Sequence, residues 1–312
     1  MEIYILSCEK IENGGGIYAY DLQGNGKLSK LAYFACDRPM YGIKCDKGLC
    51  ILLRQPFNDT NESGYFFIDE KLQTATEIIS TKGIVACHLA VDNDDVYAVN
   101  YMSGNLVKNG KQIVQRVGKS IHPTRQTQPH THFVGQTIDG NLAVADLGTD
   151  ALTIYDKNLQ LVSESKVPNG YGIRHLVFSK CGTFIYTINE LIPSVSVFAY
   201  ETGKINCLQT VKILCKKENA SGAAIRLSDD GKYLYVSLRE ENALIVFEID
   251  GAHIKQIQKV DCGGDSPRDF NIFGNALVCT NEKSNNAVVF ELVFGIIRQI
   301  YQIDIKQPLC VL

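Results

Sequence analysis

The stretch from Gly172 to Phe198, GIRHLVFSKCGTFIYTINELIPSVSVF, decides the fold. It begins with a short apolar run, RHLVF, which is followed by the turn SKCG, whose final glycine tolerates a positive φ. The next run, FIYTINE, is rich in aromatic and β-branched residues, as strands are. Two further runs, VSVFAY and INCLQTVKI, follow the loop that contains Pro193. Together these four runs predict a four-stranded antiparallel meander.

The same unit recurs along the chain. Residues that match His175 in RHLVF recur at intervals of 40 to 49 residues. They are Gly42, His88, His132, Ala224, Asp269 and Leu309. A period in the forties with four strands per repeat is typical of a β-propeller. Because one unit cannot bury both faces of its small sheet, neighbouring units must pack against each other around a ring.

The two ends of the chain complement each other. The N-terminal runs EIYILSC, GIYAYDL and KLSKLAYFA correspond to the second, third and fourth strands of a unit, and the C-terminal PLCVL corresponds to a first strand. The sequence therefore predicts an all-β, seven-bladed β-propeller with four-stranded antiparallel blades. It forms one domain over residues 1–312, and the N- and C-terminal strands share one blade. Such closure leaves no long sheet edge exposed.

Composition restricts the class of protein. The chain has 312 residues, of which 45% are hydrophobic and 21% charged, as in ordinary globular proteins. The net charge of −3, the pI of about 6.1 and the lack of a Lys/Arg run argue against nucleic-acid binding. No apolar run approaches the roughly 18 residues of a membrane span. The N-terminus has no basic segment of the kind that begins a signal peptide.

The cysteines indicate the compartment and exclude one kind of site. Eleven cysteines are scattered at irregular spacing without a CxxC pair, which favours reduced thiols in the cytoplasm over a disulfide framework. A CxxC-type zinc site is therefore excluded. His130 and His132 alternate along a strand and so face one side, but the spacing supplies no third metal ligand. Tryptophan is absent, which excludes the WD repeat.

The repeat predicts where the unusual side chains meet. The first two strands of a blade are antiparallel, so the start of the first and the end of the second lie at one end of the ring, beside the channel. First-strand starts supply His130, His132, Arg174, His175, Arg268 and Asp269. Second-strand ends supply Asn100, Tyr101, Asp146, Asn189, Glu190, Arg239, Asn281 and Glu282. Converging donors of this kind indicate a site for a small anionic ligand.

Structural roles explain some of these residues equally well. Arg174 and Glu190 belong to one blade, and an ion pair between them would tie two strands together. Histidines at the repeat position of His175 would hydrogen-bond the adjacent blade. The binding site is favoured because Arg174, Arg239 and Arg268 come from three consecutive blades and share one end of the ring.

At these residues the sequence resembles the seven-bladed β-propeller lactonase family, which includes the propeller-type bacterial 6-phosphogluconolactonase and the fungal carboxymuconate cyclase. The resemblance runs over nearly the whole chain, through several motifs in order. The motifs are VNYMSGNL (Val99–Leu106), RQTQPHTHFV (Arg125–Val134), DLGTDAL (Asp146–Leu152), GIRHLVF (Gly172–Phe178), NELIPSVSVF (Asn189–Phe198), AAIRLSDDGKYLYVSLR (Ala223–Arg239), GGDSPRDF (Gly263–Phe270) and TNEKSN (Thr280–Asn285).

The resemblance implies an active site with a His, a Glu and arginines on one face of the ring. By motif, the catalytic residues are His130 in PHTH, Arg174 in GIRH and Glu190 in NEL. A further arginine is either Arg239 or Arg268, which motif alone does not separate. The expected substrate-binding residues are Arg268, Arg239, His132, Arg125 and Asn281. Neither a cofactor nor a metal is implied.

The chain departs from the family pattern in four places. Thr131 and Ile173 stand where the family motifs have proline, which is expected to affect the backbone only locally. The stretch SLRE, with Leu238 and Glu240, replaces a motif of the SNRG type. LLRQ (Leu52–Gln55) replaces a blade-two motif that often ends in Asn-Glu. The last two departures alter the rim of the channel, so they bear on the substrate more than on the reaction.

The function that the resemblance implies is the hydrolysis of 6-phosphoglucono-δ-lactone to 6-phosphogluconate in the pentose phosphate pathway. His130 would be the general base. Arg174, held by Glu190, would stabilise the oxyanion or hold the carboxylate product, and the second arginine would bind phosphate.

Two alternatives stay open. One is a carboxymuconate-type cycloisomerase or lactonase with a carboxylated, unphosphorylated substrate, and the other is a non-enzymatic propeller that binds partners on its faces. The expected partner is a small anionic lactone, with no nucleic acid and no membrane, and a closed ring is consistent with a monomer.

Overall fold

Seven four-stranded antiparallel sheets make up the computed structural model, which describes residues 1–312. The sheets follow each other along the chain in the predicted order, so the all-β seven-bladed propeller is confirmed. The one helix is a single 3-10 turn at Ile11–Asn13, so the structure has no helix that could span a membrane. All eleven cysteines are free thiols.

The blades are numbered in chain order, with the strand nearest the channel first except in blade one. Blade one contains β1 (Glu2–Ser7), β2 (Gly16–Leu22) and β3 (Leu28–Ala35), with β28 (Pro308–Val311) inside β1. Blade two contains β4 (Pro39–Cys45), β5 (Gly48–Leu53), β6 (Glu62–Ile68) and β7 (Ile79–Ile84). Blade three contains β8 (Ala86–Asp92), β9 (Asp95–Asn100), β10 (Asn105–Lys108) and β11 (Gln112–Gln115).

The other four blades have the same order. Blade four contains β12 (Thr131–Gln136), β13 (Leu142–Asp146), β14 (Ala151–Tyr155) and β15 (Leu161–Lys166). Blade five contains β16 (Ile173–Phe178), β17 (Phe184–Asn189), β18 (Ser194–Glu201) and β19 (Lys204–Lys212). Blade six contains β20 (Ser221–Leu227), β21 (Tyr233–Arg239), β22 (Ala243–Asp250) and β23 (His253–Asp261). Blade seven contains β24 (Pro267–Phe273), β25 (Ala276–Asn281), β26 (Asn286–Val293) and β27 (Ile296–Asp304).

The ring is closed by pairing between the chain termini. Ile5 and Leu6 of β1 pair with Val311 and Cys310 of β28. The predicted sharing of one blade by the N- and C-terminal strands is therefore confirmed. Closure satisfies the backbone groups along the inner edge of β1, which would otherwise be an open sheet edge.

Apolar side chains fill the spaces between blades. Seven buried clusters each lie between two neighbouring blades. Between blades one and two, for example, Tyr4 and Ile17 pack with Ile51 and Phe66. Each blade buries its faces only against its neighbours, which is why the repeat must complete a ring.

Every innermost strand has a β-bulge near its start. The bulged residues are Leu309, Met40, Cys87, His132, Arg174 and Arg268 in blades one to five and seven. In blade six the one extra residue falls at Ala223 and Ala224, which together face the single residue Ser237. A bulge adds a residue that has no partner in the ladder and redirects its side chain. All six single bulged residues line cavities at one mouth of the channel.

The bulge corrects part of the predicted repeat alignment. The predicted alignment matches His132 to His175, but the ladder position of His175 is occupied in blade four by Phe133, one residue later. The matches at Gly42 and Leu309 are likewise wrong by one residue. Alternation with a period of two carries no mark of an inserted residue, so the sequence alone does not set this register.

Four rings obstruct the channel at mid-depth, and we call this group, Tyr41, His88, Phe133 and His175, the plug. The ring centroids of His88 lie 4.1 Å from Tyr41, 4.2 Å from Phe133 and 5.1 Å from His175. The plug separates two mouths. One mouth is a largely apolar cavity of about 590 Å³, and the other holds the predicted polar residues.

Candidate active site

The polar mouth contains a cavity of about 350 Å³ and, deeper in the channel, a chamber of about 20 Å³. His132 and Arg268 belong to the walls of both. The other polar residues of the larger cavity are Arg54, Tyr101, Arg125, Glu190 and Arg239. The larger volume is within the range that small ligands occupy in proteins.

Glu190 is the centre of the charged groups. It follows the end of β17, and its residue is only 3% exposed. Arg125 Nη2 donates a hydrogen bond to Oε1 at 2.5 Å. On Oε2, Arg174 Nε lies at 2.9 Å and Arg239 Nη2 at 3.2 Å, but neither N–H points well at the oxygen, so these are charge contacts. One carboxylate thus holds three guanidinium groups.

The pKa of Glu190 reflects this arrangement. Burial opposes ionisation, but Arg239 and Arg174, with smaller contributions from His132 and Arg125, hold the pKa of Glu190 well below its ordinary value. Glu190 is therefore a carboxylate at any neutral or mildly acidic pH. It can position cations and cannot donate a proton.

Arg174 is placed by the bulge of β16 and is almost fully buried. Its Nη1 donates to the Ala223 carbonyl oxygen of blade six at 2.5 Å. Burial first, and then Arg239, lower the pKa of Arg174 to about 9, against the opposing effect of Glu190. The guanidinium remains protonated at neutral pH and is held rigidly by contacts on two blades.

Arg125 comes from the irregular segment between blades three and four, not from a strand. Gln126 next to it is fully buried and donates from Nε2 to the Leu147 carbonyl and to Asp150 Oδ1, both at 2.8 Å. Arg125 Nη2 also donates to the Tyr101 hydroxyl at 3.1 Å. Anchoring of Gln126 to blade four holds Arg125 over the carboxylate of blade five.

His132 is the imidazole that faces the cavity. It is the bulged residue of β12, is 5% exposed, and its Nδ1 has no protein partner. Burial first, and then Arg174, hold the pKa of His132 well below its ordinary value. The ring is therefore neutral at pH 7 and has a nitrogen able to accept a proton.

His130 lies just behind the cavity and is not part of its wall. Its Nδ1–H donates to the Tyr101 carbonyl at 2.8 Å, and its ring stacks on Tyr101 with centroids 4.3 Å apart. Its backbone N–H donates to Asp146 Oδ1 at 2.8 Å. These contacts hold Tyr101, which in turn contacts Arg125.

The two residues predicted from blade seven occupy different environments. Arg268, the bulged residue of β24, lines the cavity and lies 3.3 Å from Glu282 through Nη1. Asn281 is fully buried, and its Nδ2 donates to the Cys262 carbonyl at 3.2 Å, away from the cavity wall. The structure thus brings Glu190 together with the predicted arginines and His132, and leaves His130 and Asn281 outside the wall.

Arg54 lines the cavity but was not among the predicted site residues. A signal in the repeat could have found it, because Arg54 directly follows a second strand. Tyr101, Glu190 and Glu282 have the same position in their blades. LLRQ departs from the family motif at this position, so the resemblance assigns no role to its arginine.

Charge and donor type define what the site can bind. Five guanidinium groups are set against three carboxylates, those of Glu190, Glu282 and Asp269; the guanidinium groups are those of Arg54, Arg125, Arg174, Arg239 and Arg268. The excess of positive charge and the planar donors suit carboxylate or phosphate. No group of three or more His, Cys, Asp or Glu side chains is arranged to hold a metal ion.

The chain is similar to known proteins in family, in sequence and in structure. The family model described as "Lactonase, 7-bladed beta-propeller" matches residues 2–312. An uncharacterized protein of Staphylococcus aureus strain USA300 is 30% identical over 92% of either chain. A solved structure from Lactobacillus plantarum has a TM-score of 0.91 and 28% identity, and the match covers 99% of this chain and 98% of that one. A "putative 6-phosphogluconolactonase" from Bacteroides fragilis NCTC 9343 has a TM-score of 0.90 and 26% identity, with 100% and 97% covered.

Proposed function

The chain belongs to the seven-bladed β-propeller lactonase family, and we propose that it is a hydrolase that opens the lactone ring of a sugar acid, with 6-phosphoglucono-δ-lactone as its substrate. The observation that carries the proposal is the Glu190 carboxylate holding three arginines beside the neutral imidazole of His132 in one cavity. The similarity to the Bacteroides fragilis structure supports the choice of a phosphorylated sugar lactone.

The reaction makes two demands on the site. The oxygen of a water molecule attacks the carbonyl carbon, the bond between that carbon and the ring oxygen breaks, and the ring oxygen takes up a proton to become a hydroxyl group. The new carboxyl group ionises. A base must accept a proton from the attacking water, and donors must stabilise the negative charge that develops on the carbonyl oxygen.

His132 is the best-placed base. It is neutral, it lines the cavity, and it has a free buried Nδ1. The chamber of about 20 Å³ that His132 shares with His175 has room for one water molecule, since about 10–15 Å³ suffices. His175 Nδ1 is also buried without a protein partner, so the two imidazoles can hold that water between them. A lowered pKa makes His132 a weak base, but δ-lactones open readily.

The family motif implies that His130 is the base, and this assignment competes with ours. Its Nδ1–H is committed to the Tyr101 carbonyl, and its ring is outside the cavity wall. In our proposal His130 is a positioning residue that orders Tyr101 and, through it, Arg125. Substitution of each histidine separates the two assignments.

Arg174 and Arg239 are the groups that stabilise the negative charge on the carbonyl oxygen. Both guanidiniums contact Glu190 Oε2, which keeps them on one side of the cavity. Arg174 is also fixed through the Ala223 carbonyl, so its charge needs no reorganisation as the oxyanion forms. After ring opening, the same pair binds the product carboxylate.

The test is hydrolysis of freshly generated 6-phosphoglucono-δ-lactone, followed by acid release against the spontaneous rate. We expect the wild-type protein to accelerate it and His132→Ala to lower kcat/KM about 10²-fold, the lower end of the range for general-base catalysis. His130→Ala should lower it less. The reverse order would return the base role to His130.

A different result would overturn the proposal itself. If the protein accelerates no sugar lactone but accelerates a carboxylated, unphosphorylated muconolactone, the carboxymuconate-type activity is the correct one. If it accelerates neither, the protein is a non-enzymatic propeller that binds partners on its faces. The expectations of a cytoplasmic location and a monomeric state stay predictions.

A further inference from the structure

Arg54 occupies a fixed position on the rim, on the opposite side of the ring from Glu190. It follows β5, and its backbone N–H donates to the Arg38 carbonyl at 3.1 Å. Its own carbonyl accepts a hydrogen bond from Ser63 Oγ at 2.7 Å. The side chain therefore leaves the backbone from a well-held point and reaches into the cavity wall.

Arg54 also differs from the other arginines of the cavity in its charge environment. Arg125, Arg174 and Arg239 are all bound to Glu190, and Arg268 contacts Glu282. The Arg54 guanidinium lies within ion-pair distance of no carboxylate, and it donates no hydrogen bond within the protein. Its full charge and its planar set of donors are thus available to a ligand.

Arg54 and Arg268 form a pair across blade one. They stand on blades two and seven, which flank it, and both line the cavity wall. Both lower the pKa of the Cys8 thiol of blade one, against the larger effect of burial, which raises that pKa to about 12; Arg38, outside the wall, also lowers it, and Glu282 raises it. Cys8 packs with Met40 and Leu309 in a small apolar cluster between the two arginines. Glu282, which contacts Arg268, is the carboxylate on this side of the cavity, and it leaves Arg54 without an ion-pair partner.

The cavity therefore has two positive ends. Arg125, Arg174 and Arg239 surround Glu190 on the side of blades four to six, and Arg54 and Arg268 stand on the side of blades two and seven. A ligand with two separated electron-rich groups would satisfy both. In a phosphorylated sugar lactone the phosphate is several bonds from the lactone carbonyl, at the end of an exocyclic arm.

We propose that Arg54, together with Arg268, forms a distal anion subsite that holds the terminal phosphate of the substrate and gives the enzyme its preference for phosphorylated over unphosphorylated sugar lactones. The inference rests on the proposed function for the identity of the substrate. It also separates the two arginines that the family motif leaves undecided: Arg239 belongs to the Glu190 end, and Arg268 to the phosphate end.

The test compares kcat/KM for 6-phosphoglucono-δ-lactone and glucono-δ-lactone in the wild-type protein, Arg54→Gln and Arg38→Gln. Arg38 is the matched control, because it is a neighbouring arginine whose Nε donates to Asp37 and which is outside the cavity wall. We expect Arg54→Gln to lower the ratio of the two kcat/KM values at least about tenfold, as loss of a charged hydrogen bond of about 1.5–3 kcal/mol implies. Arg38→Gln should leave the ratio unchanged. An unchanged ratio in a folded Arg54→Gln protein would overturn the subsite.

Binding of 6-phosphogluconate and of gluconate, measured by calorimetry, separates this inference from the proposed function. If the protein hydrolyses neither lactone but binds 6-phosphogluconate more tightly than gluconate, and Arg54→Gln removes the difference, the subsite stands and the hydrolase proposal fails. If both lactones are hydrolysed and Arg54→Gln alters neither the kinetic ratio nor the difference in binding, the hydrolase stands and the subsite fails.

Discussion

Glu190 shows how one buried carboxylate can organise a cationic site. Arg125, Arg174 and Arg239 approach it from the loop before blade four, from blade five and from blade six. Three guanidiniums so close together repel each other, and Arg239 indeed contributes to the lowered pKa of Arg174. The carboxylate offsets that repulsion, so its charge is needed for the folded site as well as for any chemistry.

Glu190→Gln tests this role at the residue scale. The substitution keeps the shape of the side chain but leaves three cations without their counter-charge, so we expect the free energy of unfolding to fall by about 3–5 kcal/mol, as when one partner of a buried ion pair is removed. Urea unfolding at pH 7.5 measures it. Glu248→Gln is the control, because Glu248 is exposed and forms no ion pair. A loss of less than about 1 kcal/mol would mean that the arginines are accommodated without Glu190.

At the scale of the element, the repeated β-bulge allows an inner strand to direct one side chain into the cavity while the rest of the strand packs between blades. An unbulged first strand would direct alternate residues toward the two neighbouring blades. The bulge releases one residue per blade from that alternation, and in blades four and five it presents His132 and Arg174 to the cavity. Bulges next to active sites commonly re-aim a side chain in this way.

Close packing between inner strands keeps the end of β17 in place. A Cβ at Gly222 of β20 would lie 2.3 Å from the Asn189 carbonyl oxygen and 2.7 Å from Ile188 Cγ1, and the Gly222 N–H donates to the Glu190 carbonyl at 3.1 Å. The absence of a side chain at Gly222 thus allows blade six to approach the strand end that carries Glu190.

Gly222→Ala should therefore disturb both stability and activity. The methyl group must push the end of β17 aside, so we expect the free energy of unfolding to fall by about 1–3 kcal/mol, as for other overpacked sites. We also expect kcat/KM to fall, because Glu190 moves with the strand. Urea midpoints and lactone kinetics measure the two effects. Gly24→Ala is the control, since nothing lies within 4 Å of the added Cβ. Equal behaviour of both variants would show that blade six has room to move.

At the scale of the whole molecule, the channel is divided by buried imidazoles. His88 and His175 belong to the plug, and His132 lies above it. For each of the three, burial is the main cause of a pKa well below the ordinary 6.5, and neighbouring arginines add to the effect. The folded protein keeps these rings neutral where the unfolded chain would protonate them.

This difference predicts acid lability that begins near pH 6.5. Below that pH the unfolded chain binds protons that the folded protein does not, so the free energy of unfolding falls with falling pH, by up to about 1.4 kcal/mol per pH unit for each imidazole. Urea midpoints at pH 8, 7, 6 and 5.5 measure the slope. His88→Phe should reduce it, since Phe133 occupies the same position in blade four.

Exposed His253 provides the control for this slope, and His253→Asn should leave it unchanged. A stability that does not vary between pH 8 and 5.5 would contradict the prediction. The Glu190 ion pairs affect stability in a different pH range. Because the folded state lowers the pKa of Glu190, the stability that these pairs contribute is lost only as the pH falls below about 4.5, the ordinary pKa of a Glu side chain.

The sequence by itself determined the architecture. Strand runs, turn glycines and a period in the forties are local or evenly repeated signals, and they were enough to predict seven blades and the joining of the termini, both of which are confirmed. The motifs also led to the family, and membership is confirmed. The same repeat predicted which end of the ring gathers the arginines, because antiparallel pairing within a blade follows directly from strand order.

Only the tertiary structure decided which side chains share the cavity. The bulge moves His132 into the wall and leaves His130 behind Tyr101, and no residue pattern marks an inserted position in a strand. Arg125 meets Glu190 across 65 residues of chain through a loop that has no periodicity. Arg54 reaches the cavity because the closed ring places the end of β5 in blade two at the same mouth of the channel as the arginines of blades five to seven. These contacts depend on register and on the radius of the ring, which are set by packing between blades and not by any local run of sequence.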